Sequence, residues 1–375
     1  MPKDKIKESK KIIIISPNVS RTLGGISNTA YYLSKEFSLS YDTSIITSLP
    51  NNEKIEGINI FSPLKSNTYK SLFFQYRVLK KILKLSNNKN VIVFCMSWRC
   101  ALAPYLLKKI RNIKYVILCH GNEVLNISTK ANDKLENVVR RKIINNSEKL
   151  FANSVYTCNL VKKITNTIPI KIIHPCSGEK VSPKNLYQVP KENEKMILSI
   201  GRLEKRKGFQ YVIIAVSKLV LKYPNIKYYI AGDGPFKQDL EELISIYGLK
   251  DNCILLGRIS ENEKKDYLSR CTVLTMPSFF DNSGSVEGFG IVFVEANAYG
   301  KPVIGTRSGG IPDAILNNIT GILINEKSVD ELVQAIESII SGEFKADVKK
   351  CFEWAEKHDY QRIADKYKEE INKLY

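Results

Sequence analysis

Short apolar runs alternate with longer stretches of helical periodicity along the chain. The runs at 11–16, 43–48, 91–96, 115–119, 196–200, 227–231, 253–256, 271–275 and 302–305 predict strands. They are continuous rather than alternating, Ile12 to Ile15 being the plainest. Each strand is therefore expected to be buried on both faces, in a parallel sheet. Apolar positions recur at helical spacing near 27–38, 66–86, 97–111, 130–148, 154–165, 208–222, 236–247, 261–269, 290–299 and 327–341. Strand–helix alternation repeated this often predicts doubly wound, Rossmann-like α/β units. The tail, 345–375, is helical in pattern and carries Trp354 and Tyr360.

A chain of 375 residues is too long for one ordinary core, so two domains are expected. The alternation breaks at 174–194, where Pro175, Pro183 and Pro190 stand among polar residues. The predicted division is a first domain over 1–176, a linker over 177–194, a second domain over 195–355, and a C-terminal helix over 356–375 that crosses back to the first domain. In α/β sheets ligands bind beyond the carboxyl ends of the strands, so the cleft between two such domains is the expected site. Ser16-Pro17-Asn18 ends the first apolar run too early for a signal peptide or a membrane span. The eight cysteines include no Cys-x-x-Cys pair, which argues against a zinc site and a disulfide scaffold. Cys95, Cys119, Cys253 and Cys271 lie in or beside apolar runs and read as buried thiols in a reducing cytosol.

Charge divides at the same place as the alternation. Residues 1–176 hold 29 Lys+Arg against 10 Asp+Glu, and residues 177–375 hold 28 of each, so the whole excess of +19 lies in the first half. An anionic partner is expected there, nucleic acid or anionic lipid.

Four segments carry candidate chemistry. In Asp281–Ala296, a polar loop leads through Glu287, Gly288, Phe289 and Gly290 into a helix, with Glu295 about a turn and a half inside it. Carboxylates there can accept hydrogen bonds from sugar and ribose hydroxyls, and backbone N–H groups at the helix start face the same space. An ordinary loop and a solvated helix face is the plain alternative. Glu295, however, stands among Phe293, Val294, Ala296 and Ala298, and a buried carboxylate needs a partner. The segment Gly201–Gly208 follows a predicted strand. Its Arg202 and Lys207 would make a diphosphate clamp, although a solvated basic loop has the same pattern. Gly24-Gly25 would let backbone approach a phosphate, or simply make a tight turn. It is not a dinucleotide fingerprint, because Gly-x-Gly-x-x-Gly is absent. Cys119-His120-Gly121-Asn122-Glu123 ends a strand and puts one of three histidines where a cleft residue would stand; a structurally satisfied histidine fits equally. His174 reads as a linker residue and His358 as a surface residue.

Together these segments resemble family 4 of the retaining glycosyltransferases, the group 1 glycosyl transferases of GT-B fold. The resemblance rests on 287–296 and 201–208, on Ala231-Gly232-Asp233-Gly234-Pro235, on Gly300-Lys301-Pro302-Val303-Ile304 and on Ser308-Gly309-Gly310-Ile311-Pro312-Asp313. In the first half Gly24-Gly25, His120-Gly121 and Ala152-Asn153-Ser154 occupy the family's order, more loosely. It implies two Rossmann-like domains facing across a cleft, the first for acceptor and the second for a nucleotide diphosphate sugar. It implies that Arg202 and Lys207 neutralise the departing diphosphate, that Glu287 holds sugar hydroxyls and that Glu295 holds the ribose. Backbone near Gly25 would meet the diphosphate, and backbone N–H groups of Gly288, Phe289 and Gly290 the sugar. Backbone around Arg258 would read the base, and His120 would sit near the anomeric centre. The family needs neither metal nor cofactor, which agrees with the absence of an Asp-x-Asp motif and of clustered metal ligands.

For the acceptor side, segment 66–86 places Tyr69, Leu72, Phe73, Tyr76, Leu79 and Leu83 at helical spacing, with Lys70, Arg77, Lys81 and Lys84 on another stripe. Helix 97–111 adds Trp98, Arg99, Lys108, Lys109 and Arg111. A core-packed helix with a solvated basic back explains the apolar stripe. The regional charge adds the expectation that Arg77, Lys80, Lys81 and Lys84 meet an anionic membrane, with a lipid-linked acceptor at its cytoplasmic face. A nucleic-acid-binding protein is the competing reading from another class, but no binding motif supports it and it leaves the second half unexplained. A nucleotide-sugar epimerase of the same fold is the nearer alternative. A sugar phosphorylase would carry a pyridoxal lysine in a much longer chain.

Overall fold

The computed structural model describes residues 10–20, 24–47, 55–62, 72–86, 90–121, 123–124, 131–178, 195–281 and 285–375. The linker prolines Pro183 and Pro190 lie outside these, as do Tyr69 and Lys70 of the expected 66–86 helix, Asn122, and 282–284 of the candidate sugar loop. The chain divides into two compact units, Met1–Gly178 with Tyr360–Tyr375, and Glu179–Asp359.

The first unit is built on seven strands, β1 (Lys10–Ser16), β2 (Asp42–Thr47), β3 (Asn59–Phe61), β4 (Asn90–Cys95), β5 (Lys114–Cys119), β6 (Lys149–Ala152) and β7 (Ile170–Ile172). Their order is β3-β2-β1-β4-β5-β6-β7, with every pairing parallel. Both faces are buried, as the continuous apolar runs require. Ile13, Ile15, Val93 and Ile117 pack on one side beneath the helices α2 (Leu72–Leu85), α3 (Leu102–Arg111) and α4 (Ala131–Ile144). Ile12, Ile14, Phe94 and Leu118 pack on the other, against α1 (Gly25–Ser38). A further short helix, α5 (Val155–Lys162), starts where the Ser154 hydroxyl accepts the N–H of Thr157 at 3.1 Å.

The second unit has six parallel strands, β8 (Lys195–Ile200), β9 (Ile226–Ala231), β10 (Cys253–Gly257), β11 (Val273–Thr275), β12 (Val303–Thr306) and β13 (Gly321–Ile324), in the order β10-β9-β8-β11-β12-β13. One face lies under α6 (Phe209–Leu219), α7 (Lys237–Ile246) and α10 (Val329–Ser341), whose Leu332, Ala335, Ile336, Ile339 and Ile340 recur at helical spacing. The other lies under α8 (Glu261–Arg270), α9 (Ile291–Asn297) and α11 (Val348–Lys357). Three of these helix starts are capped by side chains: a Ser260–Glu263 capping box opens α8, Ser328 opens α10 and Asp347 opens α11.

All nine expected strands are present, and four short ones join them: β3, β6, β7 and β13. At three or four residues these do not stand out from neighbouring apolar positions; β6 is hidden between two helical patterns. The helical tail is two helices. The first, α11, stays with the second unit, and α12 (Tyr360–Asn372) belongs to the first, so the return begins at Tyr360 rather than 356. His358, expected at the surface, lies at the junction and is 2% exposed. Its ring is 4.7 Å from that of Trp354 and 5.6 Å from that of Phe289, and its Nδ1–H donates to the Trp354 carbonyl at 2.8 Å. All eight cysteines are free and buried.

Helix α12 completes the α1 side of the first core. Tyr367 sits edge-on to Phe94 and Phe151, 5.4 and 4.9 Å away between ring centres. Lys149 pairs with Glu370, Tyr41 donates to Asn372 at 3.1 Å, and Tyr375 donates to the Lys11 carbonyl at 2.7 Å. Tyr367→Ala leaves a ring-sized hole there and is expected to cost about 3–5 kcal/mol, the range for truncating a buried aromatic. Urea unfolding followed by far-UV circular dichroism measures this, and a loss under about 1 kcal/mol would show that α12 is not part of the core.

Candidate active site

In a doubly wound sheet the crevice opens where strand order reverses. In the second unit that point is between β8 and β11, since β9 and β10 run outward on one side and β12 and β13 on the other. The loop leaving β8 is the segment 201–208 singled out in the sequence, and the chain leaving β11 leads into the other, Asp281–Ala296. Their backbones are locked to their neighbours. Leu203 N–H donates to the Asp233 carbonyl at 3.0 Å, Phe236 N–H to Leu203 at 3.0 Å, and Phe279 N–H to Arg206 at 2.9 Å. Two glycines make this closeness possible. Gly232, at φ 145°, would carry a Cβ 1.9 Å from the Gly201 oxygen, and Gly208, at φ 82°, one 2.2 Å from the Pro277 oxygen. No side chain fits at either position.

On this frame five charges alternate in sign. Arg202 Nε lies 3.3 Å from Glu204 Oε1, and Arg206 Nη2 lies 2.8 Å from Glu204 Oε2. Arg206 Nη1 is 3.6 Å from Glu287 Oε2, the oxygen that also accepts from Lys207 Nζ. Arg202 is 70% exposed, whereas Glu287 and Lys207 are largely buried. Burial by itself would raise the Glu287 pKa. Lys207 and then Arg206 outweigh it and hold the carboxyl below the usual range. The Glu287 carbonyl accepts the N–H of Gly310 at 2.9 Å, which ties the loop to the turn after β12.

Glu295 has the partner its apolar neighbours require: Lys264 of α8, at 2.9 Å. Burial alone would lower the Lys264 pKa, but Glu295 and Glu261 raise it. Gly290 takes a left-handed conformation at the start of α9. The Phe289 side chain is buried in the core beside His358, so only its backbone is available to a ligand. Arg258 is exposed at the end of β10, 3.4 Å from Asp233. Arg206, Glu204 and Lys264 have no role that the sequence pattern points to. Arg206 and Glu204 lie inside a motif segment, where their neighbours carry the signal. Lys264 is 31 residues from Glu295, on a charged helix with no local signal.

In the first unit the corresponding reversal lies between β1 and β4. Gly24 and Gly25 open α1 after β1, and a Cβ at either would meet nothing within 4 Å. His120 follows β5. Its Nε2–H donates to the Met96 carbonyl at 2.9 Å, its N–H to Glu123, and its own carbonyl accepts from Asn153 at 3.2 Å. Burial lowers the His120 pKa, only partly opposed by Glu123 and Met96, so the ring is neutral at pH 7 with Nδ1 as its acceptor nitrogen.

Helix α2 keeps part of its expected stripe, Leu79 and Leu83 packing against the core. Its core stripe is Phe74, Val78 and Ile82. Phe73 and Tyr76, grouped with the apolar stripe in the sequence, are 55% and 51% exposed. Arg77 lies 4.8 Å from the Phe73 ring centre and Lys80 4.6 Å from that of Tyr76. Arg77, Lys80 and Lys84 are at least partly open to solvent. Lys81 is not on that stripe: it turns onto the Phe61 ring of β3, and burial, then Lys84 and Lys11, lower its pKa.

Two doubly wound domains of parallel strands are the architecture of the GT-B fold. Solved structures agree on the fold. HepE of Anabaena, determined with UDP and glucose, superposes with a TM-score of 0.77 at 17% identity, covering 96% of this chain and 99% of that one. A glycosyltransferase of Rickettsia africae gives 0.77 at 22% identity, covering 98% of each.

The model of the glycosyl transferases group 1 family matches residues 184–358. An uncharacterised glycosyltransferase of Methanocaldococcus jannaschii is 26% identical over 80% of this chain and 81% of its own length. A GDP-mannose-dependent phosphatidylinositol monomannoside mannosyltransferase of Mycobacterium tuberculosis is 31% identical over 38% of each chain. A phosphatidylinositol N-acetylglucosaminyltransferase component of Arabidopsis thaliana is 22% identical over 92% of this chain and 79% of that one.

The depressed pKa of Glu287 gives a testable pH dependence. Its ionisation stabilises the fold above the unfolded-state value of about 4.3, and that contribution disappears as pH falls through the lower folded value. Glu287→Gln is therefore expected to lower Tm at pH 7 and to differ progressively less from the parent below about pH 4. A Tm difference that grows on acidification would contradict the pairing.

Proposed function

We propose that this chain is a retaining, metal-independent family 4 transferase. It moves a hexose or N-acetylhexosamine from uridine or guanosine diphosphate to a lipid-linked or phosphorylated acceptor, in the synthesis of cell-surface glycan or glycolipid. The observation that carries this reading is the convergence of Lys207 and Arg206 on Glu287, with Arg202 beside them, at the strand-order reversal of the second sheet. A buried carboxylate bound by cations that a diphosphate could also use is a site for a ligand both hydroxylated and anionic.

In this reading Arg202 and Lys207 hold the diphosphate, Glu287 the sugar hydroxyls and Glu295 the ribose. The backbone at Gly288, Phe289 and Gly290 faces the sugar, and that around Arg258 the base. The backbone at Gly24-Gly25 meets the diphosphate, and neutral His120 offers Nδ1 near the anomeric carbon. The bond from that carbon to the diphosphate oxygen breaks, and a bond to the acceptor oxygen forms on the same face. The acceptor's proton passes to the departing phosphate oxygen, so no protein nucleophile is consumed. Charge grows on the diphosphate as the bond breaks, so fixed cations favour the transition state over the ground state.

Relatives named for phosphatidylinositol substrates support a lipid acceptor. The basic first half, and the face of α2 with Arg77, Lys80, Lys84, Phe73 and Tyr76, support docking on the cytoplasmic side of a membrane. Each cation near an anionic surface contributes about 1 kcal/mol, which salt screens. No helix among the described residues is long and apolar enough to span a bilayer.

A thermal-shift screen against UDP, GDP, ADP and their sugars identifies the donor; a ligand at about 100 times its Kd stabilises by about 2.7 kcal/mol. With that donor, Lys207→Ala is expected to cost about 2–4 kcal/mol in kcat/KM, the effect of losing one donor to a developing anion. Near-normal transfer would remove Lys207 from the mechanism. In vesicle co-sedimentation, the parent is expected to bind anionic liposomes at low salt and release them at high salt. The triple variant Arg77→Glu, Lys80→Glu, Lys84→Glu is expected not to bind. Equal binding to neutral vesicles would overturn the electrostatic docking.

A further inference from the structure

Of the two cations around Glu287, Arg206 makes the looser pair. Arg206 is 15% exposed, and its Nη1 has no hydrogen-bond partner among the described residues. It stops at 3.6 Å from Glu287 Oε2, just beyond hydrogen-bond distance, while Lys207 occupies that oxygen. The rest of the residue is fixed. Nη2 is held by Glu204 at 2.8 Å, and the carbonyl accepts the Phe279 N–H at 2.9 Å. That nitrogen forms a long ion pair with the Glu287 carboxylate, so the guanidinium stands ready to close on it.

The proposed donor binding would call on that looser pair, and this inference rests on that reading. Lys207 cannot serve both the diphosphate and Glu287 fully. When the diphosphate draws it away, Glu287 is left buried without its bonded cation. A carboxylate in that position is strongly destabilised or takes up a proton. Once protonated it would lose acceptor capacity for the sugar hydroxyls it is meant to hold.

We propose that Arg206 is a positioning residue that takes over Glu287 when a nucleotide sugar draws Lys207 onto its diphosphate. A small rotation of the guanidinium about its Glu204 anchor closes the gap. Arg suits this task because it stays charged at any working pH and presents two nitrogens in a rigid fork, one for each carboxylate. Arg202 is not equivalent, being exposed and held on the other oxygen of Glu204. Glu204 thereby keeps Arg206 from competing for the phosphate and aims it at Glu287. Among the described residues, Lys207 and Arg206 are the charged side chains that face Glu287.

The test compares Arg206→Ala, Arg206→Lys and Lys207→Ala. It measures nucleoside diphosphate affinity by calorimetry, and kcat and KM with the donor found by thermal shift across pH. For Arg206→Ala, the expected result is a fall in kcat of about tenfold or more, with nucleoside diphosphate affinity within about twofold of the parent. The acid limb of its kcat profile should move to higher pH, because Glu287 in the donor complex has lost its cation. Arg206→Lys keeps the charge but not the two-nitrogen fork, so it should recover the rate only in part, and an unchanged Tm in both variants separates the effect from misfolding. An Arg206→Ala protein that loses nucleoside diphosphate affinity as Lys207→Ala does would make Arg206 a phosphate ligand and overturn the proposal. An unmoved acid limb would overturn it too. If Lys207→Ala itself binds nucleoside diphosphate like the parent, the donor reading fails, and this inference with it.

Discussion

A carboxylate withdrawn from water must find a cation, and the second domain is arranged so that Glu287 finds two. The pairing spans two loops from strands that are neighbours only because the order of the sheet reverses between β8 and β11. It therefore depends on the register of that strand pair and on the glycines that let the loops approach. Gly232 against Gly201, and Gly208 against Pro277, set the loop backbones closer than any side chain would allow. A shift in either would separate Lys207 from Glu287 and leave both charges buried without compensation.

The same logic governs the second carboxylate. Glu295 lies on α9 and Lys264 on α8, and the two helices share one face of the sheet above Leu274 and Val303. Apolar burial brings the helices together, and the ion pair satisfies a carboxylate that this burial would strand. In the first domain the His120 ring has a main-chain partner instead. His120 is held by the Met96 carbonyl and by Asn153, from the ends of adjacent strands, and stays neutral because it is buried.

The surface of α2 follows from how a helix divides its sides. Phe74, Val78 and Ile82 take the core, and Phe73 and Tyr76, one or two positions away, are turned to solvent. Arg77 and Lys80 cover these rings, which shields apolar area and keeps cations facing outward. Periodicity places a residue on a stripe, but two stripes of similar hydrophobicity compete here, and only packing against the sheet selects one.

The sequence by itself determined the class of fold. Continuous apolar runs admit only strands buried on both faces, and their alternation with helical patterns admits only doubly wound sheets. The motif segments were equally legible, because glycine and proline at fixed offsets from a strand mark a turn whatever follows. The short strands β3, β6, β7 and β13 were not legible, although β11 and β12, equally short, were. Pairing across the chain was also out of reach. That Arg206 and Lys207 share Glu287, 80 residues away from Lys207, that Lys264 answers Glu295, that His358 is sealed beneath Trp354 and that Lys81 turns to Phe61 were all decided by tertiary structure. The physical reason is that periodicity and turn chemistry are local properties of the chain, whereas the partner of a buried charge is whichever residue the folded sheet brings within reach.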